Sequence, residues 1–185
     1  MAKRSEVSDA LPEITEIEDD ALREKVIDCW VMALDEGNFD TLAEIPWWPP
    51  YEEAVGEKYL LDHLRNDSNF AMAMVEILSE RIPNIDLDRD MVIAGALLHD
   101  ISKLFETSHE GMTELGNWIP HPHFSVYILA SNDVPLPIQH IVLGHTPRSS
   151  VQLQTLEGQI VQIADELGGK GWFWAEANRL DPGVY

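Results

Sequence analysis

Residues 91–98, Met-Val-Ile-Ala-Gly-Ala-Leu-Leu, are apolar on nearly every face of a helix and run without a break into His99-Asp100. A helix of this kind has to be central, because it has no face to leave in water. It also has to place an imidazole and a carboxylate where the core ends, and unpaired polar groups there are costly. The chain must therefore wrap around this helix and bring partners to both side chains. The run is far shorter than the roughly 20 apolar residues of a bilayer span, so membrane insertion is not expected.

The flanking sequence is helical in period throughout. Ile14, Ile17, Val26, Ile27, Trp30, Val31 and Leu34 recur at three- and four-residue spacing, with Gly37 as a stop. Residues 51–82 repeat the pattern through Leu60, Leu61, Leu64, Phe70, Met74, Leu78 and Ile82, with an interruption expected at 66–68. Further helices are expected at 121–132, 136–145 and 151–167. Residues 1–12 read as a loose polar tail, and Pro46-Trp47-Trp48-Pro49-Pro50 as an apolar connector that cannot be regular helix. The two tryptophans either pack that connector or wall a pocket. Gly168-Gly169-Lys170-Gly171 reads as a helix stop, after which Trp172, Phe173 and Trp174 fold back onto the core or a pocket. No alternating segment is long enough for a strand, so the expected class is all-α.

Charge narrows the partners. Twelve Lys and Arg stand against 33 Asp and Glu, a formal charge of -21. Such a surface repels phosphate backbones and anionic lipid, which excludes nucleic-acid polymers and membranes as expected partners. The N-terminus has no apolar segment of the signal-peptide kind, and Cys29 is a lone cysteine, expected to be buried and inert. Together they make the cytoplasm the expected compartment.

All seven histidines lie between positions 63 and 145. His63 falls on a helix before His99-Asp100, His121 and His145 on segments after it, and Asp165 on a later apolar helix. Imidazoles and carboxylates in one ordered set suit divalent iron, manganese or zinc. One Asp can bridge two such ions through its two oxygens, and paired ions generate a hydroxide between them.

The chain here resembles the HD-domain superfamily of metal-dependent hydrolases, whose pattern is His, His-Asp, two further His and a final Asp on a bundle of helices. AGALLHDISK at 94–103 is similar to the family's central motif, including a Lys three residues after the Asp. His121-Pro122-His123-Phe124-Ser125 resembles the His-Pro-x-x-Gly element of the two-metal branch, with Ser at the Gly position, and Gly144-His145-Thr146 resembles a later element. The resemblance implies a helical bundle with Asp100 as the bridge. His63, His99 and Asp165 would hold one ion, and His121 and His145 the other. Lys103 would neutralise a substrate oxyanion or orient the nucleophilic water, making Lys103 and Asp100 the catalytic pair. His121 and His123 remain alternatives for one ligand position. His123, His140 and Arg148 are candidates for outer or substrate contacts, Arg148 as an anion clamp.

The expected organisation is an acidic helical extension with its tail at 1–50, an HD metal-binding domain at 51–168, and an aromatic segment at 169–185 covering the core. The expected cofactor is a pair of divalent ions, iron or manganese ahead of zinc, cobalt, nickel or magnesium. The expected function is a hydrolase that releases phosphate or a nucleotide from a small phosphate ester by attack of a metal-bound hydroxide. The alternative is a di-metal enzyme acting on a non-phosphate organic molecule, by C–N or C–C hydrolysis or di-iron oxygenation. Scarce cations and abundant aromatics (Trp47, Trp48, Trp118, Trp172) are compatible with a neutral organic substrate of that kind. The expected partner is a small molecule, and a homodimer is compatible with the sequence.

Overall fold

The computed structural model describes residues 2–147 and 149–180. Arg148 and residues 181–185 of the expected C-terminal segment lie outside the described residues. The fold is all-α, as the periodicity requires, with one two-residue hairpin as its strand content among the described residues.

Residues 1–12 were expected as a loose tail, but Ala2–Ala10 forms helix α1. Val7 and Leu11 are fully buried, and Lys3 and Arg4 pair with acids on the next helix, at Asp35 and at Glu24 and Asp28. Two apolar residues four apart, flanked by cations facing an acidic helix, are enough to dock a short polar segment. A 3-10 turn, Pro12–Glu16, leads to α2, Asp20–Glu36, which Asp19 caps by accepting from the Ala21 and Leu22 amides. The helical pattern expected from residue 13 is therefore broken once before α2. Gly37 ends α2 as expected.

Residues 46–51 form the irregular connector, including the 3-10 turn Pro49–Tyr51, and lead to the short α3, Glu52–Val55. Helix α4, Leu60–Arg81, then runs unbroken through 66–68. The interruption expected there lies earlier, at 56–59, where Gly56 takes φ +70. The polar residues that suggested a break, Asp67 and Ser68, are buried on the inner face of α4 beside His63, Leu64 and Ala71. The core stripe is turned accordingly, and Phe70 and Ile82 are exposed.

Helix α5, Arg89–Leu98, is the central one, buried from Val92 onward. Asp88 caps it, and Asp90 accepts from the Glu18 and Asp19 amides, which fastens the N-terminal extension to its start. After His99 and Asp100 come α6 (Lys103–Glu106), the β1–β2 hairpin (Thr107–Ser108 with Gly111–Met112) and α7 (Glu114–Trp118). Then follow α8 (Ser125–Ser131), α9 (Leu136–Gly144) and α10 (Leu156–Ala177).

Gly168-Gly169-Lys170-Gly171 does not stop α10, which continues two more turns. A Cβ on Gly168 would stand 2.2 Å from Asp67 Oδ1, and one on Gly169 would stand 3.3 Å from the Trp47 indole. These glycines let α10 approach α4 and the connector closely, a gain that outweighs roughly 1 kcal/mol of lost helix propensity at each. Trp172 and Phe173 reach the site from within the helix instead of folding back onto it. Helix α5 packs between α4, α9 and α10, and its C-terminal end, where His99 and Asp100 sit, opens toward the apolar cluster of Trp47, Val55 and Phe173.

Candidate metal centre

Four helices converge at the end of α5. Helix α4 contributes His63 and Asp67, the end of α5 contributes His99 and Asp100, the end of α9 contributes His145, and α10 contributes Asp165. His121 comes from the loop before α8. His63 Nε2 lies 3.2 Å from Asp100 Oδ2, 3.2 Å from Asp165 Oδ1, 3.1 Å from Asp67 Oδ2 and 3.2 Å from His99 Nε2. On the other side, Asp100 Oδ1 lies 2.9 Å from His121 Nε2 and 3.7 Å from His145 Nε2, and those two nitrogens are 3.4 Å apart. Asp100 therefore presents one oxygen to each of two groups of imidazoles.

The imidazoles are oriented for ligation. A carbonyl or carboxylate oxygen can only accept, so the ring nitrogen facing it carries the proton. His99 Nδ1 donates to the Ala96 carbonyl and His145 Nδ1 to the Val142 carbonyl, each at 2.7 Å. His121 Nδ1 donates to Glu106 at 2.9 Å. All three thus turn Nε2 inward, the pattern that outer partners impose on metal-binding histidines. Donor atoms of His63, Asp67, His99 and Asp165 lie within 4.8 Å of one another, as do those of His99, Asp100 and His145. Inward-facing nitrogens, clustered carboxylates and a buried Asp67 whose two oxygens lack hydrogen-bond partners fit a divalent metal site.

The electrostatics follow from crowding. Burial works against charge on Asp100, but Lys103 and the surrounding imidazoles hold its carboxyl well below the usual range. Burial pushes Asp67 up to about 7 against the pull of His63. Burial takes His145 down to about 3, helped by its neighbour His99, which leaves it neutral.

Lys103 is buried, ion-paired with Asp100 Oδ2, and lies 5.6 Å and 5.5 Å from the Trp47 and Trp48 rings. Beside it opens a cavity of about 660 Å³, lined by Trp47, Trp48, Tyr51 and Phe173 on one side and reaching Asp100, His121, His145 and Asp165. Trp47 thus both packs the connector and walls the cavity. Trp172 packs against Trp47 and His63, whereas Trp118 is 78% exposed and is absent from the lining.

Of the remaining candidates, His123 is exposed with its ring bonded to the Pro120 carbonyl, and His140 accepts from the Gln154 amide at 3.1 Å. Neither joins the cluster. Of the pair left open by the sequence, His121 is the one brought to Asp100. Cys29 is buried, and burial together with Asp28 pushes its thiol up to about 12. Two residues escaped the sequence reading, Asp67 and Glu106. Asp67 is four residues after His63 and so shares its helix face, the signal that was available. Glu106 is one turn after Lys103, and nothing in its local sequence points to His121.

Residues 60–168 match the family described as HD domain. The chain is 30% identical over 169 residues to a dihydroneopterin 2',3'-cyclic phosphate phosphodiesterase of Methanocaldococcus jannaschii. That alignment covers 84% of this chain and 66% of the relative, just under two thirds of its length. No solved structure matches the chain. Among the described residues, no helix is long and apolar enough to cross a membrane.

Proposed function

Because the chain belongs to the HD-domain family, we propose that it is a metal-dependent phosphohydrolase acting on a small phosphate ester attached to a planar ring system. The observation that carries this reading is Asp100, with one oxygen toward His63 and the other toward His121. His63, His99 and Asp165 would hold one ion and His121 and His145 the other, with Asp100 shared. Iron and manganese suit this mixture of nitrogen and oxygen donors. The bound pair would supply a nucleophilic water at neutral pH and charge for the phosphoryl oxygens.

The chain's own residues do the rest. Glu106 fixes the His121 ring by accepting from Nδ1. Lys103 keeps a cation at the cavity edge of Asp100, placed to offset charge developing on a phosphoryl oxygen. Trp47, Trp48, Tyr51 and Phe173 exclude water from the ring-binding side and offer aromatic surfaces for stacking. The likeness to a phosphodiesterase of a pterin cyclic phosphate supports a cyclic phosphodiester on a fused heterocycle as the first substrate to test. The cytoplasm is the compartment where such a metabolite would be met.

The test is hydrolysis of pterin and nucleoside 2',3'-cyclic phosphates by metal-stripped protein reloaded with manganese or ferrous iron. Metal-dependent appearance of a phosphomonoester supports the reading, and failure on every phosphate ester refutes it. A second reading, a di-metal enzyme on a non-phosphate organic molecule, draws on the cavity's scarce cations among the described residues, Lys103 and a Lys170 already paired with Glu166. Oxygen uptake or C–N bond hydrolysis without phosphate release would favour it.

A further inference from the structure

Asp67 has no part in the family pattern or in the reaction just described. Its side chain is 1% exposed, and neither carboxylate oxygen finds a hydrogen-bond partner. Oδ2 lies 3.1 Å from His63 Nε2 and 3.6 Å from His99 Nε2. The space for the carboxylate is provided from the opposite helix. A Cβ on Gly168 would stand 2.2 Å from Oδ1, so any other residue there would force Asp67 aside. A buried carboxylate that makes no hydrogen bond is costly, and a cation shared with the two imidazoles would relieve that cost. Two helices have thus given up ordinary packing to keep a bare carboxylate beside two inward-facing imidazoles.

We propose that Asp67, seated by Gly168, is a further ligand of the ion held by His63, His99 and Asp165. The inference rests on the metal-dependent reading above. It makes the inner centre unequal to the outer one, with three carboxylates (Asp67, Asp100, Asp165) and two imidazoles against one shared carboxylate and two imidazoles. An oxygen-rich set favours manganese over softer ions such as copper. The inner ion is then the tightly held one, and the outer position, facing the cavity, is the one that exchanges.

The experiment compares wild type, D67N, G168A and G171A, each stripped and titrated with manganese by calorimetry, with thermal unfolding of the metal-free proteins alongside. D67N and G168A should weaken manganese binding at one site by about tenfold or more. G171A should match wild type, since a Cβ there meets nothing within 4 Å. In a D67A background G168A should cause no further loss, because the atoms it displaces are gone. Metal-free D67N should still fold, with thermal unfolding as the check, because neither oxygen of the native carboxylate holds a hydrogen bond. Undiminished manganese binding by folded D67N overturns the inference, and so does a metal-free D67N that fails to fold. Wild type that binds no divalent ion would instead overturn the metal-dependent reading itself.

Discussion

Asp100 Oδ1 lies 2.9 Å from His121 Nε2, while the other oxygen of the same carboxylate faces His63 at 3.2 Å. One side chain at the end of the central helix therefore joins two groups of imidazoles that arrive from different parts of the chain. Removing it should affect both, and removing His121 should affect one. D100A is expected to abolish tight binding of both ions together with activity, whereas H121A should lower the bound stoichiometry from about two to about one. Elemental analysis of reloaded, desalted protein checks this, and a D100A protein that keeps both ions would refute the bridging role.

Glu106 is buried and touches the centre only through His121. Replacing its carboxylate with an amide keeps the shape but weakens the acceptor that orients Nδ1–H. E106Q should loosen the outer ion by about 10- to 100-fold while leaving the inner ion and the helical content unchanged. Metal titration followed by circular dichroism separates these outcomes.

Trp48 stands at the mouth of the centre, its ring 6.0 Å from that of His121. If the cavity stacks a planar ring, W48A should raise KM for a pterin or nucleoside cyclic phosphate by about tenfold and change kcat less. A phosphodiester without a ring should show no such change. Equal effects on both substrates would remove stacking from the account.

The histidines give the metal affinity a definite pH dependence. Burial opposes charge on His63 and His121, but Asp67, Asp100 and Asp165 hold the first up to about 10, and Asp100 with Glu106 hold the second up to about 9. Both rings are protonated at neutral pH until a metal displaces those protons, so affinity should rise with pH toward 9–10 and fall below neutrality. Calorimetry in buffers of different ionisation enthalpy should report net proton release on metal binding at pH 7, decreasing as pH rises toward 10.

Stability of the metal-free chain should follow the opposite slope at alkaline pH. The contribution of His63 is complete below its unfolded value of about 6.5 and is lost as pH rises through about 10. His145, lowered to about 3 by burial, binds a proton in the unfolded chain first, so its contribution is lost as pH falls from about 6.5 to 3. Between about 4 and 6.5 Asp67, pushed up to about 7, opposes the His145 slope, so the melting temperature measured without metal should change little there and fall as pH rises from about 7 to 10.

The central helix and most of the histidine–aspartate cluster were legible because an all-apolar helix ending in His-Asp leaves few alternatives. His121 was separated from His123 only in three dimensions, where one ring turns to Asp100 and the other to a backbone carbonyl. Asp67 was hidden because an acid in the middle of a helix ordinarily faces water, and its inward turn depends on a glycine 101 positions later. The same glycines read as a stop, since local propensity takes no account of the helix across the interface. Helix α1 was missed for a related reason: Val7 and Leu11 look too few to bury until α2 supplies the opposing acids.

Helix α10 carries Asp165 and, one and two turns later, Gly169 and Phe173 of the cavity wall, all on one uninterrupted rod. Other parts of the lining are built differently, from the irregular connector at 46–51, which packs against Phe173, and the segments around Met112, Gly116 and Pro120. Of these segments, only the wider 100–121 stretch carries members of the histidine–aspartate cluster, Asp100 and His121, at its two ends. A chain of this design can acquire a new substrate by lengthening or rewriting 46–51 or 108–118 while its ion-binding geometry stays inherited. Loop grafting between relatives would exchange specificity and leave the chemistry behind.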